Sequence, residues 1–138
     1  MKSEFHIDCM YKNTPPECVF SSHNSSFKQS LSHNNKLFLD LDLRHNDEIR
    51  IEFINKDAID DNVVLIKKIL IDDIDLQHYI YHGSFTPKYN TEWFDKQNPK
   101  PPLIYCPCTE LRHNGTWVIE IKLPIWKMIM NRWIDDER

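Results

Sequence analysis

Five oxygen-bearing side chains lie within the eight residues 55–62, between two predicted strands. They are Asn55, Asp57, Asp60, Asp61 and Asn62. Because Ca²⁺ takes about six to eight oxygen ligands from flexible loops, the spacing predicts a calcium site with Asp57, Asp60 and Asp61 as its carboxylate ligands. The alternative is that these residues only shape a turn, since Asp and Asn tolerate left-handed backbone conformations.

Six aromatic side chains form a second group, spread over residues 79–105 around a Pro-rich segment. They are Tyr79, Tyr81, Tyr89, Trp93, Phe94 and Tyr105. Aromatic faces beside polar groups stack on sugar rings or form the centre of protein interfaces, so we expect these residues to bind a glycan or a protein. The alternative is that Trp93 and Phe94 anchor the long loop 82–102 onto the rest of the protein, since tryptophan is usually well buried.

The cysteines are candidates for binding a soft metal. Cys106 and Cys108 flank one proline, and His113 follows them, so the three could ligate zinc with Cys9 and Cys18 as further ligands. Zinc motifs usually have roughly two to four residues between paired cysteines. Only Pro107 lies between Cys106 and Cys108. The alternative is that all four thiols are reduced and have no metal.

No group of residues stands out as a catalytic site. His78 and His82 lie four residues apart, but no Glu follows His78 as the zincin motif requires. Carboxylates are plentiful, yet none is set apart as a general acid or base. We therefore expect a protein that is not an enzyme.

Alternating apolar and polar residues predict the strands that must position these groups. Residues 37–43, 49–53 and 117–123 alternate with period two, which is typical of half-buried strands. Residues 63–71 are apolar almost throughout and predict a strand buried on both faces. Further strands are predicted at 5–11, 18–20, 27–31 and 74–80, with a short edge strand at 103–105.

Regularly spaced strands without strand–helix alternation predict an all-β fold, a single antiparallel β-sandwich or jelly roll with a short C-terminal helix. A chain of 138 residues suits one domain. Within residues 1–138 we expect N-terminal strands and a polar loop over 1–35, the core sandwich over 36–123 and the helix over 124–134, starting at Pro124. Asn114-Gly115 predicts a tight hairpin turn before the last strand.

Composition and charge exclude several classes of function. Two glycines are too few for a phosphate-binding loop, a dinucleotide fingerprint or a nucleophile elbow. The net charge is −4, and Lys67-Lys68 is the only adjacent basic pair, so a nucleic-acid partner is not expected. No apolar run reaches the ~18 residues of a membrane span, and the N-terminus has no apolar signal region.

Two stretches resemble known proteins. Residues 51–81, with the acidic loop and NVVLIKKILIDDIDL, resemble the strand–loop–strand core of small calcium-dependent carbohydrate-binding β-sandwiches. Residues 48–134, with GSFTPKYNTEWFDKQNPKPP and ELRHNGTWVIEIKLPIWKMI, are similar to small uncharacterised proteins of marine T4-like phages. The second resemblance implies a phage setting and a structural or adhesion role.

Together these features predict a non-enzymatic β-sandwich binding module located on a phage virion. Its expected partners are other virion proteins or a host-surface glycan, bound through the 82–105 loop, and self-association is compatible with this role. One alternative is a small phage effector that modulates a protein in the host cytoplasm. The other is a metal-dependent module or hydrolase that uses Asp57, Asp60 and Asp61, or the pair His78 and His82. No cofactor is expected apart from the calcium ion considered above.

Overall fold

The computed structural model describes residues 1–11, 14–54, 62–89 and 91–136, with side chains through residue 131. Within these ranges lie ten strands, a 3-10 helix at Gln77–His82 and two α-helices, α1 (Thr91–Asp95) and α2 (Ile125–Asp136). The strands are β1 (Lys2–Met10), β2 (Glu17–Ser21), β3 (Ser26–Ser30), β4 (Asn34–Asp40), β5 (Asp47–Ile54), β6 (Val63–Ile71), β7 (Ile74–Asp75), β8 (Ser84–Pro87), β9 (Glu110–Leu111) and β10 (Gly115–Ile121).

The strands form two antiparallel sheets of five strands each. The first sheet has the order β4-β1-β6-β7, and β9 also pairs with β6. The second sheet has the order β3-β2-β5-β10-β8. The predicted all-β sandwich with a short C-terminal helix is therefore confirmed. The helix α2 begins one residue after the predicted start at Pro124 and ends at Asp136, two residues beyond the predicted end.

The hydrophobic core lies between the inner faces of the two sheets. Phe5 of β1 and Phe20 of β2 are fully buried, and their ring centroids lie 4.9 Å apart. Trp117 of β10 is also fully buried, and its indole Nε1 donates a hydrogen bond to the carbonyl oxygen of Cys108 at 2.7 Å. The alternation seen in the sequence thus places one face of each long strand in the core, where each large apolar side chain contributes about 1.5–3 kcal/mol.

The prediction that residues 63–71 are buried on both faces is wrong. In β6, Ile66 pairs with Ile7 of β1, whereas His6 pairs with Lys68, so a bulge at Lys67 interrupts the register. Lys67 and Lys68 are both exposed. The bulge shifts the alternation by one residue, and both ammonium groups therefore stay in water, where they cost no desolvation.

The prediction of one strand over 74–80 is also wrong. Only Ile74 and Asp75 form β7, and the chain then continues as the 3-10 helix. Gln77 has a φ of 53°, which ends the extended conformation. Leu76 and Ile80 are both buried, and because they lie four residues apart their spacing fits a helical turn as well as a strand.

The hairpin predicted at Asn114-Gly115 does not form either. The residues before it, β9, pair with β6 of the first sheet, whereas β10 pairs with β5 and β8 of the second. The turn therefore carries the chain between sheets. Gly115 is required for a different reason: a Cβ there would lie 2.3 Å from the backbone oxygen of Thr86.

The strands predicted at 5–11 and 27–31 form as β1 and β3. β1 lies between β4 and β6 in the first sheet, and β3 is an edge strand of the second sheet. In the predicted edge strand 103–105, only Tyr105 pairs, through two 2.8 Å backbone hydrogen bonds with Phe85. Neither described α-helix is long and apolar enough to span a membrane.

Candidate functional site

The predicted metal ligands Asp57, Asp60 and Asp61 lie outside the described residues, in the segment that joins β5 to β6. The described segment after it begins at Asn62, whose side chain is buried and whose Nδ2 lies 3.5 Å from the carbonyl oxygen of Thr14. In the part of the chain that the structure describes, no group of three or more His, Cys, Asp or Glu side chains could hold a metal. The calcium site stays a prediction from the sequence.

The four cysteines are free thiols in two different environments. Cys9 and Cys18 are buried, and burial raises the pKa of Cys9 to about 11 and the pKa of Cys18 to about 12. Cys106 is exposed, and Cys108 is half-buried. Because the thiolate is the metal-binding form, the two buried cysteines are poor ligands at neutral pH. The soft-metal hypothesis for Cys106, Cys108 and His113 finds no support among the described residues.

Four of the six predicted aromatic residues lie together beside β8, and a histidine joins them. We call Tyr89, Trp93, Phe94, Tyr105 and His113 the Tyr89 cluster. The ring of Tyr89 stacks on Trp93 and Phe94, with centroid distances of 5.6 Å and 5.3 Å. The ring of His113 lies edge-on to the ring of Tyr89, with a centroid distance of 4.8 Å. Its centroid lies 5.4 Å from that of Trp93.

Backbone pairing and one lysine position the cluster. The bridge between Phe85 and Tyr105 brings the two ends of the loop together. The short helix α1 presents Trp93 and Phe94, and the Nζ of Lys100 donates to the carbonyl oxygens of Phe94 at 2.8 Å and Asp95 at 2.6 Å. A cation at the end of a helix is favourable, because the last carbonyl groups carry partial negative charge.

The Tyr89 hydroxyl fastens the cluster to the Pro-rich segment. It donates a hydrogen bond to the carbonyl oxygen of Pro102 at 2.6 Å and lies 3.2 Å from the Tyr105 hydroxyl. Burial, together with the hydrogen bond to Tyr105, raises the pKa of Tyr89. The phenol therefore stays protonated at physiological pH and keeps its hydrogen bonds.

Trp93 is the most exposed of the predicted aromatic residues in this cluster. It is 41% exposed, whereas Tyr89, Phe94 and Tyr105 are half-buried. A fully buried Trp93 would have excluded it as a contact for a ligand. The structure instead combines both interpretations of the sequence: the neighbours of Trp93 anchor the loop, and part of the indole remains open to solvent.

Tyr79 and Tyr81 form a second group on the 3-10 helix. The Tyr79 hydroxyl donates to the carbonyl oxygen of Glu120 at 2.6 Å, and its ring lies 5.8 Å from that of His82. Tyr81 is 49% exposed and stacks on His78 at 5.8 Å. The sequence predicts all six aromatic residues as one binding group. It cannot show that they lie in two places, because spacing along the chain does not reveal how a long loop folds.

His113 was not among the residues predicted to bind a ligand. The sequence indicates it only as a metal ligand beside Cys106 and Cys108. Its placement follows from the crossing between sheets, which brings the end of β9 beside the end of β8. The backbone N–H of Lys88 donates to the carbonyl oxygen of Asn114 at this point.

Comparison with solved structures finds two close matches in fold. One is described as vCBM60 in complex with galactobiose, with a TM-score of 0.60 and 11% identity over 87% of this chain and 98% of that one. The other is the selenomethionine form of vCBM60, with a TM-score of 0.59 and 12% identity over 86% of this chain and 89% of that one. It is described as part of an evolutionary link, by circular permutation, between two families of calcium-dependent carbohydrate-binding modules.

This likeness shows a shared fold. The β-sandwich expected from the resemblance of residues 51–81 to calcium-dependent carbohydrate-binding modules is therefore confirmed. No family model matches the chain, and no curated protein is similar to it. The resemblance to marine phage proteins stays a prediction.

Proposed function

We propose that this chain is a non-catalytic carbohydrate-binding module that holds a sugar ring against Trp93. The observation that carries the proposal is the partly open indole of Trp93, fixed in place by Tyr89 and His113. The shared fold with a structure described in complex with galactobiose supports it.

The chemistry of the Tyr89 cluster suits a sugar better than a flat apolar ligand. One face of a pyranose ring presents C–H groups that pack on an aromatic surface, while its hydroxyl groups need polar neighbours. His113 within the cluster, and Asn114 and Lys88 beside it, carry such groups. Because the rings are already packed on one another, binding orders few side chains, which reduces its entropic cost.

We include a calcium ion in the proposal, with Asp57, Asp60 and Asp61 as its carboxylate ligands. The two similar structures support this, because vCBM60 is described as belonging with calcium-dependent modules. A bound calcium ion would supply positive charge and coordination positions for oxygen atoms.

The test compares two exposed tryptophans. Trp93→Ala should weaken binding of a glycan identified on an array, with galactobiose among the probes, by at least about tenfold, or 1.4 kcal/mol. Trp126→Ala is the matched control, because Trp126 on α2 is 56% exposed and lies outside the cluster. Isothermal titration calorimetry measures both. The proposal fails if no glycan binds the wild-type chain, or if Trp93→Ala binds as well as wild type.

The location on a virion belongs to the same proposal. The resemblance of residues 48–134 to phage proteins supports it, and a glycan-binding module there would contact a host surface. Antibodies against the chain should then label purified phage particles in electron micrographs. If the chain is found only in infected-cell extracts, it is better explained as an effector in the host cytoplasm.

A further inference from the structure

The outer face of the second sheet carries two adjoining depressions. One, of about 720 Å³, lies over β5, β8 and β10 near Lys88, and the other, of about 690 Å³, extends toward α2 and the 3-10 helix. Glu48, Ser84 and Val118 line both of them, so the two are continuous. Each has the size of a ligand pocket, about 300–1,000 Å³. We call the continuous depression the sheet groove.

Most outward-facing side chains of β5, β8 and β10 in the sheet groove are polar, with Val118 and Ile54 as apolar exceptions, and apolar residues such as Leu123, Pro124 and Met128 line its end near α2. The polar residues on these strands are Glu48, Arg50, Glu52, Ser84, Thr86 and Thr116. Strand register sets them in rows across the sheet: Thr116 of β10 pairs with Glu52 of β5 on one side and with Thr86 of β8 on the other. This row therefore offers a carboxylate and two hydroxyl groups side by side, and the next row sets Arg50 and Ser84 on either side of Val118.

Arg50 adds hydrogen-bond donors to the groove. Its Nε and Nη2 donate to one carboxylate oxygen of Glu48, at 3.1 Å and 2.8 Å. The pair is exposed, so the remaining guanidinium N–H groups are open to a ligand that lies in the groove.

Lys88 and Asn114 line one end of the sheet groove, and the backbone N–H of Lys88 donates to the carbonyl oxygen of Asn114. These two residues are the chain neighbours of Tyr89 and His113, whose rings are 4.8 Å apart in the Tyr89 cluster. The cluster itself does not line the groove; Lys88 and Asn114 connect the two.

We propose that the sheet groove continues the glycan site, so that the ligand is an internal stretch of a neutral oligosaccharide chain. This inference rests on the proposed function, since the first sugar lies against Trp93. The following sugars cross β8, β10 and β5, with hydroxyl groups bonded to the polar rows. At the usual spacing of about 4.8 Å between strands, the path across these three strands is about 10 Å long.

The floor of the groove argues against a peptide or an anionic polymer. β5 pairs with β2 and β10, and β10 pairs with β5 and β8, so neither strand offers a free edge to an extended peptide. Three carboxylates, Glu48, Glu52 and Glu120, and four cationic side chains, Arg50, Lys88, Lys122 and Lys127, line the groove, so it has no strong excess of either charge. A polyanion gains little from such a mixed lining, whereas hydroxyl groups bond to either charge.

The test measures how affinity depends on chain length. Disaccharides and hexasaccharides of the same neutral glycans, together with sulfated and uronate-rich chains, are presented on an array and titrated by calorimetry. The wild-type chain should bind a hexasaccharide at least about tenfold more tightly than its disaccharide. The variant Glu52→Ala/Thr86→Val removes two exposed polar groups from the groove and should lose this gain while it binds the disaccharide as before.

A control variant changes the other face of the sandwich. Asp8→Ala/Lys67→Ala removes an exposed ion pair from the outer face of the first sheet and should keep the full gain with length. Equal affinity for short and long chains, a gain that survives in Glu52→Ala/Thr86→Val, or preferential binding of polyanions overturns the inference but leaves the Trp93 proposal standing. Binding of no glycan at any length overturns both.

Discussion

Replacing the buried Asp47 by alanine should strongly destabilise the sandwich. The Asp47 side chain is 5% exposed at the start of β5. Its carboxylate accepts hydrogen bonds from the backbone N–H groups of Glu48 at 2.7 Å and Arg44 at 3.3 Å. It also accepts from the backbone N–H and the ring Nδ1 of His23, in the turn between β2 and β3.

The expected size of the effect follows from these bonds. Each donor left unpaired in a buried position costs about 1–3 kcal/mol, but the ring of His23 is partly exposed and regains water. Three of the donors are backbone N–H groups, so the total is a few times the cost of one such donor. We therefore expect Asp47→Ala to lower the free energy of unfolding by about 3–5 kcal/mol and the Tm by about 10–15 °C. Asp47→Asn keeps one acceptor oxygen and should lose about half as much.

The effect should also depend on pH. Burial alone would raise the pKa of Asp47, but the hydrogen bonds from Glu48, His23 and Arg44 outweigh it and hold the pKa below its ordinary value. The folded state therefore binds fewer protons than the unfolded state in this range. The stabilisation is fully present above the unfolded-state pKa of about 3.9 and is lost as the pH falls through the lower pKa of the folded state.

Urea denaturation followed by circular dichroism at several pH values measures this difference. Asp40→Ala is the control, because the Asp40 side chain is 84% exposed and its ion pair with the N-terminal amine lies at the surface. Exposed pairs contribute little to stability. If Asp47→Ala unfolds at the same urea concentration as Asp40→Ala at pH 7, the role assigned to the Asp47 carboxylate is wrong.

Two further predictions concern Gly115 and calcium. Gly115→Ala should lower the free energy of unfolding by about 1–3 kcal/mol in the same denaturation assay, because its Cβ would lie 2.3 Å from the backbone oxygen of Thr86; a stability equal to wild type would contradict the close approach. After treatment with a chelator, Ca²⁺ at about a hundred times its Kd should stabilise the fold by about 2.7 kcal/mol in calorimetry, and replacing the three aspartates of residues 55–61 by asparagine should remove this effect. An unchanged Tm on adding Ca²⁺ would contradict the calcium site.

The strands show which features of the fold are readable from the chain. Period-two alternation located β5 and β10, because a strand with one buried face must alternate its side chains. The same rule failed in β6, where Lys67 bulges out of the register. A bulge depends on the partner strand, and β1 lies far away along the chain.

The candidate site shows the same division. The aromatic residues of the 82–105 segment were identifiable by type, since few other side chains present an apolar face beside polar groups. The sequence does not show that these residues divide into the Tyr89 cluster and the pair Tyr79–Tyr81. It also does not show that the ring of His113 packs on Tyr89 and Trp93. These depend on the bridge at Tyr105 and on the crossing at Gly115.

By itself, the sequence determined the sandwich class, most strand positions, the C-terminal helix and the residue types available for binding. Each of these follows from local periodicity or local turn chemistry, which neighbouring residues encode. Only the tertiary structure decided the bulge at Lys67, the 3-10 helix at Gln77–His82 and the groove that Lys88 and Asn114 connect to the Tyr89 cluster. These result from pairing between distant strands, where packing and hydrogen bonding across the whole sandwich outweigh local preference.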